Sequence, residues 1–370
     1  MRLWPLGHRN RWQTNRAVTP GIISRRFWPR AELQRSRVVG RIVRLCGRIV
    51  RLVFLLFLAL WIGLSVHFQI TAPLVYLLYF ALALCCLVMA RFMTRGEWGR
   101  VWGLCISVLA VWGLWWVTIE PRQDRDWMAE VARGVTSEQG VGDLVRVRNI
   151  RSFRWSSPTE AVEGWYDLDL DPTAIQSVDM IMSIWDSPEI AHTLVSFGFS
   201  DGRHIVFSGE IRKEVGEEFS ALGGFFKKYE LVLIAADERD IVHLRTDARG
   251  ETVSLYPVAM PAAQRTALFR AFLEYGNALA QEPRWYHTLW TNCTTMPYRL
   301  VRRVSDQVVF DPRVILSGRL PGYLYDLGVL PGAGTEPLDV LKERAAVPRR
   351  PVTGLSGVEY SRLLREGWRD

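Results

Sequence analysis

Long apolar runs dominate the first third of the chain. From Leu52 to Ala90 there are 39 residues without an Asp, Glu, Lys or Arg, and one helix of that length would be about 58 Å long. Because about 20 residues cross a bilayer, this run predicts two membrane-spanning helices with a turn near residues 67–73. A third apolar run follows a short polar loop. We therefore predict three transmembrane helices at about 50–68, 71–90 and 101–119.

After residue 120 the pattern changes to short apolar and β-branched runs separated by turn residues, which is typical of strands. One long helix is predicted at 261–281, where apolar residues recur at helical spacing. We interpret residues 120–335 as one α+β domain and residues 336–370 as a polar tail with one short helix. The predicted strands are 143–150, 164–170, 191–199, 204–211, 230–236, 240–245 and 252–257.

The sequence FSDGR predicts a hairpin turn whose register follows from the polar and apolar positions on either side. If residues 200–202 form a three-residue loop, Phe199 pairs with Arg203. One face of the hairpin is then apolar and the other polar, whereas a two-residue loop would slip the register and mix the two sets. In the favoured register His192 lies opposite Glu210, with β-carbons about 5 Å apart.

Charge is distributed unevenly along the chain. Residues 1–118 contain sixteen Arg, no Lys and two acids, which gives +14; the whole chain carries +8, so the remainder carries −6. The basic character therefore belongs to the N-terminal part and does not indicate nucleic-acid binding. Thirteen of these Arg precede the first span and three follow the second. The positive-inside rule then predicts an Arg-rich cytoplasmic arm at 1–48 and an extracytoplasmic main domain.

Basic residues just before the first span recur at spacings of four and three, with apolar residues between them. This pattern predicts a helix with one cationic stripe, suited to lying on an anionic leaflet. An ordinary basic flank that only sets the topology is the other interpretation. The stripe consists of Arg37, Arg41, Arg44, Arg48 and Arg51.

Cys293 is the only cysteine after Cys105, so it has no disulfide partner within the outer domain. An unpaired cysteine outside the cytoplasm is either a small buried hydrophobe or a reactive thiol. The sequence TNCTT places it at or just before a helix N-terminus, capped by Thr291 or Asn292, where the helix dipole lowers a thiol pKa. Because Pro297 lacks an N–H, this helix either starts a residue or two later or has a distorted first turn.

A cysteine nucleophile needs a base, and the outer domain offers four histidines. His192 has the best setting, because Glu210 across the hairpin can accept its second N–H and fix its tautomer. His204 lies near the turn, about 20 Å along the strand. His243 lies in a predicted apolar strand, and His287 lies in a surface connection.

The charged stretch ADERDIVHLRTDAR offers cations that could bind an anionic headgroup, Arg239 and Arg245 among them, although a solvated edge is the other interpretation. Tyr229, just before this stretch, is a further candidate for substrate contact. No zinc-ligand spacing, phosphate loop or G-x-S-x-G motif occurs. We therefore expect neither a metal nor another cofactor.

Four stretches, IAHTLVSFGF, FFKKYELVLIAADERDIVHLRT, VSLYPV and WYHTLWTNCTT, resemble the bacterial family of the N-terminal extracytoplasmic domain of Lnb, the lipoprotein intramolecular transacylase. The similarity runs from about residue 124 to residue 330. It implies a fold similar to circularly permuted papain-like enzymes of the NlpC and lecithin:retinol acyltransferase type, in which the His strand precedes the Cys helix. It also implies Cys293 as nucleophile and His192 as base. The transacylase moves an acyl chain from the glyceryl lipid of a lipoprotein onto the amine of its N-terminal cysteine, through a cysteine thioester.

These observations lead to the hypothesis of a thiol acyltransferase or hydrolase at the outer face of the bacterial cytoplasmic (inner) membrane, with membrane lipids and lipoproteins as partners. Glu210 would orient His192, and backbone amides around Asn292, Cys293 and Thr294 would stabilise the oxyanion. A peptidoglycan peptidase or amidase of NlpC type is one alternative. A non-catalytic envelope module that binds lipid or protein is the other.

Overall fold

The computed structural model describes residues 30–349 and 354–368 of the chain. It begins with three long helices, and the sections that are long and apolar enough to cross a membrane are Val39–Gln69, Leu74–Thr94 and Trp98–Val117. The three predicted apolar helices are confirmed, and the predicted basic helix is continuous with the first of them. The part of the predicted arm before residue 30 lies outside the described residues. The helices are α1 (Arg30–Gln69), α2 (Leu74–Thr94) and α3 (Trp98–Val117).

A mixed α+β domain follows the three helices, as predicted. Its strands are β1 (Thr136–Gln139), β2 (Val145–Arg151), β3 (Arg154–Trp155), β4 (Ala161–Val162), β5 (Trp165–Leu170), β6 (Ile175–Ile184), β7 (His192–Phe199), β8 (His204–Arg212), β9 (Glu230–Asp237) and β10 (Thr252–Pro257). Its helices are α4 (Glu238–His243), α5 (Ala262–Gln281), α6 (Thr295–Val304), α7 (Leu320–Asp326), α8 (Leu338–Ala345) and α9 (Gly357–Leu364).

The main sheet has the order β1-β2-β9-β8-β7-β6-β10, with β5 also paired to β2. The β2–β9 pair is parallel and the other pairs of this sheet are antiparallel. Strands β3 and β4 form a separate small hairpin. Because β6, β7, β8 and β9 are sequential antiparallel neighbours, the end of β8 and the starts of β7 and β9 lie at one end of the sheet.

The predicted register of the β7–β8 hairpin is confirmed. Leu194 lies opposite Ser208, and the Phe199 amide donates to the Arg203 carbonyl at 2.9 Å. Gly202 has a φ of +85°, which glycine adopts without the steric cost that a β-carbon would bring. The alternation of apolar and polar residues therefore decided the register correctly.

Each face of the sheet packs against helices. One face buries an aromatic cluster between β7, β8 and α5, with ring centroids 5.1 to 5.7 Å apart. Burial of each such ring contributes about 2 kcal/mol, and the edge-to-face contacts add to it. The other face packs against α4 and α9 through a second apolar cluster that includes Leu194, Val206, Ile241 and Tyr360. The aromatic cluster consists of Phe197, Phe207, Phe269 and Phe272.

Six of the seven predicted strands are confirmed to within two residues, but the strand predicted at 240–245 is wrong, and β6 was not predicted. Residues 240–245 lie in α4 and in a single π-helical turn, Leu244–Ala248. The reason is Asp240, which is buried and accepts hydrogen bonds from Arg151 Nε at 2.8 Å, the Phe153 amide at 2.8 Å and Trp155 Nε1 at 2.7 Å. The start of α4 next to β2 brings this carboxylate to its three hydrogen-bond donors. A strand at 240–245 would not place it beside them.

The C-terminal segment is not the polar tail that its composition suggested. Helices α8 and α9 pack on the domain and bury Leu341, Ala345 and Tyr360. Arg365, just after α9, donates from Nη2 to Asp179 Oδ2 and Glu238 Oε1, each at 2.6 Å. The charge of Arg365 is one cause that holds the pKa of the Glu238 carboxyl at about 2, against the effect of burial. This segment thus completes the second face of the sheet.

Replacing Arg365 with alanine should destabilise the domain strongly. Asp179 and Glu238 are each 1% exposed, and removing one partner of a buried ion pair costs about 3–5 kcal/mol. We expect thermal unfolding of the full-length protein in detergent to shift down by about 10 °C. Arg362→Ala, on the exposed side of the same helix, is the matched control and should shift little. Equal midpoints for the two variants would contradict the role given to Arg365.

The loop of residues 213–229 joins the end of β8 to the start of β9. It contacts the C-terminal ends of α1 and α3. Gln69, at the end of α1, donates from Nε2 to the Phe226 carbonyl at 2.7 Å, and the Phe226 ring stacks on Phe68 with centroids 5.5 Å apart. Lys227 Nζ donates to the carbonyls of Trp116 at 2.9 Å and Ile119 at 3.0 Å, at the end of α3. This loop therefore contacts two of the spans at the point where they leave the apolar region.

Candidate active site

Cys293 lies two residues before α6, in a turn capped by Asn292. The Asn292 side-chain oxygen accepts from the Thr294 amide at 2.9 Å and the Thr295 amide at 2.8 Å. The predicted helix start behind the cysteine is therefore confirmed, with Asn292 as its capping side chain. Pro297 is the third residue of α6, where an N–H has no partner within the helix, so the later start resolves the problem that this proline posed.

Gly209 lets the start of α6 approach the sheet. A β-carbon at this position would lie 2.9 Å from Met296 Cε and 3.6 Å from Cys293 Cα, so an alanine here would require the end of the Met296 side chain to move. The pairing of β7 with β8 ends at Leu194 and Ser208. Continued by one residue, it would place Thr193 opposite Gly209. The Thr193 amide donates to the Cys293 sulfur instead. The sulfur thus lies where the two strands separate.

The His192 imidazole lies at this same separation, buried, between the thiol and the polar side of β8. Its Nε2 is 2.7 Å from Ser208 Oγ and 3.1 Å from Glu210 Oε1. Ser208 Oγ donates to Glu210 Oε1 at 2.7 Å, so it accepts from His192 Nε2, which must carry a proton. His192 also forms a hydrogen bond with Cys293. The expected pairing of His192 with Glu210 is confirmed.

The charges in the site favour an ion pair between Cys293 and His192. Burial and the Arg245 charge lower the pKa of His192, but Glu210, the Cys293 thiolate and its hydrogen bond outweigh them and raise it to about 9. Burial raises the pKa of the Cys293 thiol, but the charge and hydrogen bond of His192 and the Thr193 amide lower it below its usual value. Both shifts act in the direction of a thiolate–imidazolium pair.

Glu210 is ionised and held by a second layer of charged residues. Burial opposes its charge, but His192, Arg245 and the hydrogen bonds from His192 and Ser208 keep its pKa well below the usual range. Arg245 Nη2 lies 3.0 Å from Glu210 Oε1, and its Nη1 lies 3.3 Å from Glu251 Oε2. Glu251 in turn accepts from the Ser183 hydroxyl. The order of the site is thus thiol, imidazole, carboxylate, guanidinium and carboxylate, with alternating charge.

Tyr286 is a site residue that the sequence analysis missed. Burial and the charges of Cys293 and Glu210 raise the pKa of its phenol, so its hydroxyl stays protonated close to both groups. Its amide donates to the Tyr229 carbonyl at 2.9 Å, next to the start of β9. The only signal in the sequence was its position in WYHTLWTNCTT, seven residues before the thiol.

Two of the three residues proposed to contact substrate have partners within the protein. Tyr229 is fully buried, and its hydroxyl donates to the Glu218 carbonyl at 2.6 Å. Arg245, 4% exposed, pairs with Glu210 and Glu251, so it positions the carboxylate. Arg239 lies in α4, and a substrate role for it stays a prediction.

The remaining candidate residues are Thr294 and three histidines. Thr294 lies at the site, with its hydroxyl 3.8 Å from the Cys293 sulfur and 3.0 Å from the Thr193 hydroxyl. His204 Nδ1 donates to the Gly202 carbonyl at 3.1 Å, at the hairpin turn. His243 lies in α4, near Asp247, and not in a strand. His287 Nδ1 accepts from the amides of Leu289 and Trp290, which fixes the loop before Asn292.

One group among the described residues has metal-ligand atoms close together: Asp179, His204 and Glu238, within 4.8 Å of one another. Both carboxylates bond to the Arg365 guanidinium. The positive charge that they need is thus supplied by the protein itself, and the arrangement fits an ion-pair cluster better than a metal site.

An apolar rim surrounds the end of the sheet where Cys293 and His192 meet. Trp185 and Phe219 lie with ring centroids 6.4 Å apart, and Trp290 is 60% exposed three residues before the thiol. Exposed apolar residues that cluster in this way mark an interaction surface. The rim consists of Trp185, Ile190, Phe219, Leu222 and Trp290.

Three apolar helices followed by an α+β domain, with one cysteine, one histidine and one glutamate converging at the end nearest the helices, define a membrane-anchored protein with a candidate thiol site. Residues 161–318 match the family model of the Lnb N-terminal periplasmic domain. This segment is similar to that family, which indicates an extracytoplasmic protein of the cell envelope. No curated protein and no solved structure matches the chain. The matched segment contains Cys293, His192, Glu210 and Arg245.

Proposed function

We propose that the protein is a cysteine-dependent acyltransferase or hydrolase that acts on a lipid or lipoprotein acyl group at the outer face of the cytoplasmic membrane. The observation that carries this proposal is the hydrogen bond of buried Cys293 with His192, whose Nε2 lies 3.1 Å from Glu210 Oε1. A packing cysteine needs no such partners, whereas a nucleophile needs a base, and the base needs a group that orients it.

The arrangement supports a papain-like catalytic type. The thiol precedes a helix N-terminus, the histidine lies at the start of a strand, and a carboxylate fixes the ring from the far side. The histidine comes before the cysteine in the chain, which is the order of the permuted NlpC and lecithin:retinol acyltransferase type. Fold-level likeness says little about substrate, so the reaction is argued from the site.

The reaction has two steps. The Cys293 thiolate attacks the ester carbonyl carbon, an S–C bond forms, and the C–O bond breaks as His192 gives its proton to the leaving alcohol. An amine or water then attacks the thioester, His192 takes its proton, and the thiolate is restored. The amides of Asn292, Thr294 and Thr295 are bonded locally, so the oxyanion is left to the Cys293 amide, with the Tyr286 hydroxyl beside it.

The position of the site supports a substrate at the bilayer. The Arg122 amide, a few residues after α3, donates to Glu230 Oε1 at 2.9 Å. Glu230 pairs with Arg212, which lies about 7 Å along β8 from Glu210. The apolar rim faces outward at this end, where tryptophan favours the membrane interface. Three spans place the N-terminal arm on the opposite side, which we propose to be the cytoplasm.

The experiment that separates the proposed reaction from its alternatives compares lipoprotein N-terminal peptides, by mass, from cells with the wild-type protein and with Cys293→Ser. Acyl transfer predicts a redistribution of acyl chains between the glyceryl group and the amine. Altered peptidoglycan peptides with unchanged lipoproteins would favour a peptidase of NlpC type instead. No change in either would favour a non-catalytic envelope module.

The pH dependence of the first step is a further prediction. Acylation needs thiolate and imidazolium together, so kcat/KM should rise at low pH as Cys293 loses its proton, below its usual pKa. It should fall again as His192 loses its proton near pH 9. For an ester whose leaving alcohol needs a proton, such as ethyl decanoate, a bell-shaped profile of cleavage, corrected for spontaneous hydrolysis, is therefore expected. A rate that keeps rising through pH 10 would contradict the ion pair.

A further inference from the structure

An apolar cavity of about 210 Å³ lies beside the thiol, on the face of the sheet that α5 and α6 cover. Strands β6 and β7, the three helices α5, α6 and α7, and the loop before α5 all contribute to its wall. The lining side chains are mostly aliphatic, and they include Val178, Val195, Leu268, Val301, Leu320 and Val329. Polar side chains, among them Tyr298 with a hydroxyl that is unpaired among the described residues, form a smaller part of the wall. Because most of the lining is apolar, the cavity favours a mainly apolar ligand.

The cavity begins next to the catalytic residues. Thr193 follows His192, Thr294 follows Cys293, and both line the cavity. Their hydroxyls lie 3.0 Å apart, so one donates a hydrogen bond to the other. The Cys293 sulfur is 3.8 Å from Thr294 Oγ1. A group bonded to the sulfur would therefore reach the cavity within the length of one side chain.

Pro297 forms part of the same wall. It lies in the first turn of α6, where its missing N–H is tolerated and its ring adds apolar surface. A polar side chain at this position would place a hydrogen-bonding group in the cavity. A proline at this position thus fits a cavity for an apolar chain.

We propose that this cavity holds the hydrocarbon chain of the acyl group while the acyl group is bonded to Cys293, with Thr193 and Thr294 at its mouth. This inference rests on the proposed function and names its substrate class, an ester of an aliphatic acid. If a methylene fills about as much space as a water molecule, about 30 Å³, the cavity takes roughly seven carbons. The remainder of a longer chain extends toward the apolar rim.

A cavity-filling substitution tests this assignment. Val301 lines the cavity and Val304 does not, yet both are partly buried on α6, so Val301→Phe and Val304→Phe form a matched pair. The substrates are p-nitrophenyl butanoate and p-nitrophenyl decanoate, offered to the full-length protein in nanodiscs. Each forms an S–C bond to Cys293 and releases p-nitrophenolate, which needs no added proton. The acyl-protein is measured by intact mass.

We expect Val301→Phe to lower the rate ratio of decanoate to butanoate about tenfold, because each methylene kept out of the cavity costs about fourfold. Val304→Phe should leave the ratio unchanged. If both variants form the butanoyl thioester and keep the wild-type ratio, the cavity assignment is wrong while the thiol chemistry stands. If the wild-type protein forms no thioester with either ester, the proposed function fails.

A second measurement decides the cavity assignment without catalysis. Cys293→Ala protein in nanodiscs is irradiated with a heptanoic acid that carries a diazirine at the chain end, so that the probe fits within the cavity, and the labelled peptides are identified by mass. Label in peptides from α6 and α7, lost in the added Val301→Phe variant and kept with Val304→Phe, is the expected result. Label confined to α1, α2 and α3 would overturn the assignment.

Discussion

Replacing Cys293 with alanine is expected to lower the rate of acyl transfer by roughly 10⁴-fold or more, because the variant lacks the atom that forms the thioester. The intact mass of the wild-type protein after a short reaction should show one added acyl group, labile to hydroxylamine. The variant should show none. The measurement uses the full-length protein in nanodiscs with an excess of ester.

The matched control is Cys105→Ala, which removes the other buried cysteine, in α3. It should keep the wild-type rate and the acyl-protein mass. An acyl group that persists in Cys293→Ala and disappears in Cys105→Ala would mean that the nucleophile has been assigned to the wrong thiol.

Replacing Glu210 with glutamine should lower kcat/KM by about a thousandfold while the protein stays folded. The change leaves a similar shape but removes the charge that helps raise the pKa of His192 to about 9. The alkaline limb of the pH profile should therefore move to lower pH. A merely structural defect would lower the rate without moving this limb.

Glu251→Gln is the graded control for this prediction. Glu251 pairs with Arg245 and does not contact His192, so its loss should weaken the site less and shift the alkaline limb less than Glu210→Gln does. The reverse order would contradict the alternating chain of charges from Glu251 to Cys293.

The sequence allowed correct prediction wherever short-range patterns decide the structure. The three spans follow from run length, and the β7–β8 register follows from the alternation on two faces of one hairpin. That register alone brought His192 opposite Glu210, and the cap at Asn292 follows from the residues next to Cys293. These features depend on neighbours within about twenty residues.

The features that were missed depend on partners far along the chain. Strand β6 carries Asp179 at a buried position, which breaks its apolar pattern, and the compensating Arg365 lies 186 residues later. The same guanidinium bonds to Glu238 at the start of α4. A prediction that treats residues 336–370 as a polar tail offers these buried carboxylates no cation. The omission of β6, the strand predicted at 240–245 and the polar tail therefore have one cause.

The sequence predicted the three residues of the proposed chemistry but not the residues that surround them. Cys293, His192 and Glu210 are chemically distinctive, whereas Tyr286 is one of eleven tyrosines and is identified only by its place beside the thiol. Arg245 has the charge expected of a headgroup ligand, but the α4 turn directs it to Glu210. The sequence alone indicated that Arg245 supplies a positive charge near the site. Only the fold shows that this charge pairs with Glu210.

The central claim is that His192 activates the Cys293 thiol, and the pH dependence of its alkylation tests this most directly. Full-length protein is treated with iodoacetamide across pH, and the modified Cys293 peptide is measured by mass in the wild type and in His192→Ala. We predict a wild-type midpoint clearly below the ordinary thiol value of about 8.5, and a midpoint at or above that value in the variant. Midpoints near 8.5 in both proteins would contradict the claim.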